Sequence, residues 1–227
     1  MYFLKPEFTH QSAVITFASK CLAAGDSPAV VYGGDSYAKV IEEQGYTGWL
    51  KRVRQCAGAQ EIDRETHIYP EQLLLIADST GGQDSLGGSR DYTDMFPKLD
   101  NGDLLTGLIV LRPSIFRTDE AESHFCIVQN NEALLDFCLV PTLRALTNYM
   151  LVLQDALAHV VCAGLPYKYI HCTVPSSAEG TVIRTALQRC NFSDRGLTMV
   201  RNRVQCPVLT ADLRVVQQLR TRIQTWQ

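Results

Sequence analysis

Residues Leu134–Phe192, LLDFCLVPTLRALTNYMLVLQDALAHVVCAGLPYKYIHCTVPSSAEGTVIRTALQRCNF, decide the fold. The opening run is apolar apart from Asp136 and stops at Val140-Pro141. A short apolar run closed by proline reads as a buried strand, because proline cannot donate to a ladder. After Arg144, residues Leu146, Tyr149, Met150, Leu153, Leu157, Val160 and Val161 recur every three or four positions and predict a helix with one broad apolar face. Gly164 suits the end of that helix, since glycine enters the left-handed region without a Cβ penalty. From Tyr167 to Val174 the period changes to two, with Ile170, Cys172 and Val174 alternating against Tyr169, His171 and Thr173, as in a strand. A short helix then closes on Asn191-Phe192.

Working towards the N-terminus, residues Tyr2 to Phe8 predict a first strand and Thr9 the N-cap of a helix. The apolar stripe of that helix is Val14, Phe17, Ala18, Cys21 and Leu22, and Gly25-Asp26 ends it. Val30 and Val31 form a brief extended piece before the turn Gly33-Gly34-Asp35. The next helical region breaks at Gly45 into Tyr37–Gln44 and Thr47–Cys56, the second carrying Trp49, Leu50 and Val53. EQLLLIADST is a buried strand and DLLTGLIVLRP its hairpin partner. Between them, residues 81–103 are rich in Gly, Asp and Ser, a loop long enough to be a contact surface. Its Tyr92, Met95 and Phe96 are expected to dock on the domain's own surface, with a partner or substrate as the alternative.

HFCIVQNNEALLDFCLV reads as two strands turning at Gln129–Glu132. The strands at Leu104–Leu111, Phe125–Val128 and Leu134–Val140 can be ordered in more than one way. LTMVRNRVQCPVL is a last strand region. TADLRVVQQLRTRIQTWQ predicts a closing helix with Leu213, Val216, Leu219, Ile223 and Trp226 on one side, packed on its own sheet or docked on another subunit. These readings divide the chain into a domain at 1–206 and a C-terminal helical extension at 207–227.

A chain of 227 residues and 25.3 kDa, 46% hydrophobic and 20% charged, buries one sizeable core. A net charge of -3 and a pI near 5.9 give no broad basic field, which argues against a general nucleic-acid binder. Apolar runs such as Leu73–Ala77 fall far short of the roughly 20 residues that span a bilayer, so no membrane helix is expected. MYFLKPEFTH does not read as a signal peptide, which implies a protein of the reducing cytoplasm. Eight cysteines are scattered without a CxxC pair and read as reduced, buried thiols. The five histidines show no paired-ligand spacing with them, so no metal is expected. Nucleotide-binding glycine loops, the G-x-S-x-G elbow and H-E-x-x-H are absent from the sequence.

The order of elements in 134–192 resembles the GNAT superfamily of acyl-CoA-dependent N-acetyltransferases. The family core reads V-x-P-x-x-R-G-x-G-x-G, then a helix, a strand and N-x-x-A/S-x-x-x-Y-x-x-x-G-F. Here Val140, Pro141 and Arg144 match the start, and ALQRCNF stands where the family has its G-F ending. GYTGWLKRVRQ and LLTGLIVLRPS are similar to the family's second helix and its G-x-I-x-L-R strand, extending the likeness over residues 1 to 205. The resemblance implies an α/β fold with a mixed, mostly antiparallel twisted sheet flanked by helices. It also implies acetyl-CoA as cofactor, its pyrophosphate held by Val140, Arg144, Ala145, Leu146, Thr147, Asn148 and Tyr149 through backbone amides at a helix start.

Four positions depart from the family. Thr147 and Tyr149 replace glycines of the loop, Gly180 stands at the Asn, and Leu187 stands at the Tyr that protonates the CoA thiolate. His171, His124 and Asp136 are the candidate catalytic residues, with Glu132 beside them as another carboxylate in reach of a base role. Two readings follow. The first is a catalytically impaired GNAT-like domain that binds a protein partner, or itself, through the 81–103 loop and the C-terminal helix. Degenerate members encoded by tailed phages make a virion-associated assembly role its concrete form. The second is an active acetyl-CoA-dependent N-acetyltransferase.

Overall fold

The hydrophobic pattern is realised as nine strands and four helices among the residues described, 1–24, 31–32, 35–58, 72–79, 96–113, 131–165, 167–201 and 204–215 of a computed structural model. Seven strands form one sheet: β1 (Tyr2–Leu4), β4 (Gln72–Asp78), β5 (Leu104–Pro113), β6 (Glu132–Leu139), β7 (Tyr169–Thr173), β9 (Val204–Asp212) and β8 (Phe192–Arg201), in that order across it. β1–β4, β7–β9 and β8–β9 pair antiparallel and β6–β7 pairs parallel, giving the expected mixed sheet. A two-stranded hairpin, β2 (Val31–Tyr32) and β3 (Asp35–Ser36), stands apart from it. The helices are α1 (Gln11–Ala23), α2 (Tyr37–Gly58), α3 (Leu146–Cys162) and α4 (Ala178–Arg189). β5 neighbours both β4 and β6, which resolves the order of two of the three hairpin strands; Phe125–Val128 lies outside the described residues.

The chain divides into two compact units, and β5 and β6 each run from one into the other. In the first unit, residues 1–60, 70–110 and 136–144, α1 buries Ala13, Val14, Phe17, Ala18 and Cys21, while Leu22 in its last turn is exposed. α2 is interrupted at Gly45, whose φ of 69° only glycine takes readily. Beyond the break Trp49 is fully buried, its ring 5.3 Å from that of Tyr46. The Tyr46 hydroxyl donates to the Glu7 carbonyl, and burial pushes its pKa up to about 12.

Thr9 is not an N-cap. It lies inside a 3-10 turn, Phe8–His10, and the Glu7 amide donates to His10 Nδ1 at 3.1 Å, so Glu7 and His10 set the entry to α1. Of the 81–103 loop, residues 96–103 are described, and they are fastened down. Phe96 and Leu99 are buried, Leu105 N donates to Pro97 O at 2.8 Å, and the Tyr2 hydroxyl donates to Asp103. Phe96 thus docks on its own domain, while Tyr92 and Met95 lie outside the described residues.

In the second unit, residues 61–69, 111–135 and 145–227, α3 buries Tyr149, Val152, Leu153, Ala156, Leu157 and Val160. Its end is a Schellman closure: Leu165 N donates to Val160 O at 3.3 Å and Gly164 N to Val161 O at 3.2 Å, with Gly164 at φ 64° one residue past the cap. The predicted last strand region is two strands. β9 lies between β7 and β8, and a register shift at Asp194/Leu197 is turned by Gly196 at φ 72°. The closing helix also begins later than expected. Thr210, Ala211 and Asp212 belong to β9, so the expected division at 206/207 falls inside a strand. Pairing with β7 holds them there, Thr210 opposite His171 and Asp212 opposite Tyr169, because ladder hydrogen bonds outweigh local helix preference. Helical turn is described only at 213–215, and the rest of the predicted helix lies outside the described residues.

Gly107, the glycine of LLTGLIVLRPS, is fixed by close approach. A Cβ there would meet Cys138 O at 2.5 Å and Leu139 Cδ2 at 2.8 Å. Gly107→Ala should therefore lower stability by about 1–3 kcal/mol, as overpacking does, and a urea denaturation series measures it.

Candidate functional site

In the first unit, β6 ends at Leu139 and a 3-10 turn, Pro141–Leu143, carries the chain to Arg144. Proline opens this turn because its missing N–H is not needed there. Val140 is buried and its amide donates to Thr106 O at 3.0 Å. Arg144 turns its guanidinium back on the strand it follows: Nε and Nη2 each donate to Leu139 O at 3.1 Å, and Nη2 lies 4.0 Å from both Cys21 Sγ and Cys138 Sγ. Asp136, two residues before Cys138, is buried at 2% exposure.

In the second unit, α3 starts after Ala145, which is extended at φ -117° and ψ 156°. The first helical bond is Tyr149 N to Ala145 O at 3.0 Å, so the amides of Leu146 and Thr147 have no intrahelical acceptor. Such amides and the positive helix end suit an anionic group. Thr147 is exposed, so its Cβ points to solvent, whereas Tyr149 is buried. The Tyr149 hydroxyl donates to Glu179 in the first turn of α4, which takes the phenol into the packing of α3 on α4. The parallel ladder of β6 with β7 takes in three pairs, Glu132–Tyr169, Ala133–Ile170 and Leu134–His171, although both strands continue beyond it.

Two of the four positions singled out in the sequence, Gly180 and Leu187, lie in α4. Ser177 caps this helix by accepting from Gly180 N at 3.1 Å. A Cβ at position 180 would stand 1.8 Å from Pro175 O, so no asparagine fits there. At the other end, Asn191 takes φ 65°, the left-handed conformation that asparagine enters more readily than most residues. Leu187, four residues earlier, is fully buried and has no proton to give.

His171 is held from both sides. Nε2 lies 2.9 Å from Glu132 Oε2 and Nδ1 lies 2.9 Å from Thr210 Oγ1, linking β7 to β6 and β9. An ionised Glu132 accepts from Nε2–H, which leaves Nδ1 to accept from the Thr210 hydroxyl. Burial holds the imidazole below its ordinary value of 6.5 despite the opposing pull of Glu132. With both nitrogens engaged, the ring fastens three strands. Arg195, in the β8 irregularity, stacks 4.7 Å over the Tyr169 ring on the same stretch of sheet.

Of the predicted site residues, the structure brings Arg144 to Cys21 and Cys138, Tyr149 to Glu179, and His171 to Glu132 and Thr210. His124 lies outside the described residues. Glu179 and Thr210 were not singled out in the sequence, Thr210 because its segment reads as a helix. Among the described residues, no group of three or more His, Cys, Asp or Glu could hold a metal ion, and no helix is long and apolar enough to cross a membrane.

No protein-family model and no curated protein sequence matches this chain. Solved structures do match. AAC(6')-Ib in complex with ribostamycin and coenzyme A is 10% identical, with a TM-score of 0.53 over 95% of this chain and 94% of that one. Mycobacterium smegmatis RimJ in complex with CoA-disulfide is 13% identical, with a TM-score of 0.53 over 92% of this chain and 80% of that one. The microcin C7 self-immunity acetyltransferase MccE, in complex with acetyl-CoA and AMP, is 12% identical, with a TM-score of 0.51 over 92% and 91%. At these identities the likeness is one of fold: this chain has the GNAT-like mixed sheet with flanking helices.

Two measurements check the site. Asn191→Gly should fold normally, whereas Gly180→Asn should lower the melting temperature by several degrees, since about 1 kcal/mol shifts a domain of this size by about 2–4 °C. Burial also depresses His159. Because His171 and His159 sit below their ordinary value of 6.5 in the folded state, the unfolded chain binds more protons as the pH falls through that value. The stability they contribute is full above it and is lost towards the folded pKa. The urea midpoint should therefore fall between about pH 7.5 and about pH 5.5, and His171→Gln should shrink that fall.

Proposed function

We propose that this chain is a GNAT-fold domain that has lost efficient acyl transfer and serves as a binding or assembly module. The observation that carries the reading is Leu187. It stands four residues before the left-handed turn at Asn191, in the place where the family keeps its proton donor, and it is fully buried. Without a donor there, the departing CoA thiolate has nothing at that position to protonate it. His171 does not offer a substitute, since Glu132 and Thr210 occupy both its nitrogens. In this reading the partner surface is the 81–103 loop, of which 96–103 pack on their own unit, together with the expected C-terminal helix.

One observation supports the second reading, an acetyl-CoA-dependent N-acetyltransferase of another acceptor. The Tyr149 phenol is turned onto Glu179, so it does not cap the amides of Leu146 and Thr147, which would hold the pyrophosphate. Bound acetyl-CoA would supply the activated acetyl thioester; this chain's residues fit the phosphates better than they fit the proton transfers.

Thiol release from acetyl-CoA, measured with a panel of primary amines, separates the readings. The binding-module reading expects release no faster than in buffer with every amine. Amine-dependent release that disappears in Thr147→Trp, with calorimetry showing acetyl-CoA binding lost in the same variant, would establish the acetyltransferase instead.

A further inference from the structure

Cys21 in α1 and Cys138 in β6 are 117 positions apart, and the first unit brings their sulfurs to 3.8 Å. Neither is in a disulfide. This is van der Waals contact between thiols, and a disulfide needs about 2.05 Å, so rotation of the two side chains must close the rest. The pair is built asymmetrically. Cys21 is only 3% exposed, whereas Cys138 is half-buried and within reach of a small solute. The Arg144 guanidinium, which cannot lose its charge, sits 4.0 Å from each sulfur and is aimed there by its two bonds to Leu139 O. The thiolate is the form that attacks oxidants and disulfides, and the guanidinium lies where it meets the charge of the attacking sulfur.

We propose that Cys21 and Cys138 form a redox-active dithiol that hydroperoxides convert to a disulfide. The Cys138 thiolate attacks one peroxide oxygen. The O–O bond breaks, hydroxide leaves to become water, and Cys138 becomes a sulfenic acid. The Cys21 sulfur then attacks the Cys138 sulfur and the S–O bond breaks. The departing hydroxide takes the proton given up by Cys21. The sum is two thiols and one hydrogen peroxide giving one disulfide and two waters. Cys138 is the attacking residue because it is the one solvent reaches, and Cys21 resolves it because it is already in contact. The product ties α1 to β6 and changes what the Arg144 guanidinium faces, at the start of the turn leading to α3.

Hydrogen peroxide treatment of the native full chain, followed by alkylation, digestion and mass spectrometry, tests this. The exposed Cys162 serves as the internal reference. The expected result is a linked Cys21–Cys138 peptide that accumulates about tenfold faster than Cys162 oxidises, with a rise in the melting temperature from closing so long a loop. Cys21→Ser should leave Cys138 as a sulfenic acid that dimedone traps. Arg144→Gln should slow formation of the linked peptide about tenfold while leaving the Cys162 rate unchanged. Oxidation of Cys162 without any linked peptide overturns the proposal, and so does an unchanged rate in a folded Arg144→Gln; the wild-type measurement stands whether or not that variant folds.

Discussion

β6 needs hydrogen-bond partners along both edges, and most of the architecture follows from meeting that need. Its residues are buried from Ala133 to Phe137, so water cannot satisfy the amides and carbonyls of the strand. β5 lies along one side and β7 along the other, and the strand passes from one compact unit to the other between Leu135 and Asp136. The parallel join with β7 demands a long crossover, and α3 supplies it. At the C-terminal end of the strand, Arg144 and the amide of Val140 take over the satisfying of backbone groups.

Polar side chains link neighbouring strands and helices of this fold. His171 spans Glu132 and Thr210 across three adjacent strands. Tyr149 reaches Glu179. Arg214, just past β9, clamps Asp212 at 2.8 Å, holds that carboxyl below the usual carboxylate range, and donates to the Tyr169 hydroxyl at 3.3 Å. Each of these engages a polar side chain with a neighbour that the fold brings to it.

The elements from Leu134 to Phe192 were legible because their periods are clean: an apolar run closed by proline, a helix with one buried face, and a strand whose residues alternate. The break at Gly45 and the left-handed Gly164 were legible for the same reason, since glycine marks a backbone conformation other residues avoid. The segment TADLRV was misread because its apolar residues continue the helical spacing of the tail, and the ladders with β7 and β8 make Thr210–Asp212 extended. Thr9 was misread because a Thr before an apolar stripe is a cap signal, while here it sits inside the 3-10 turn Phe8–His10, whose flanking Glu7 and His10 set the entry to α1.

The amino-acid sequence by itself determined the class of fold and the succession of strand, helix, strand and helix from Leu134 to Phe192, because periodicity and residue type are local properties. Tertiary structure alone decided which side chains meet. It turned Tyr149 towards α4, set His171 between two strands distant in sequence, and brought Cys21 within 3.8 Å of Cys138. Contacts between residues 30 to 117 positions apart depend on how strands are ordered and helices laid on them, and no local pattern carries that information.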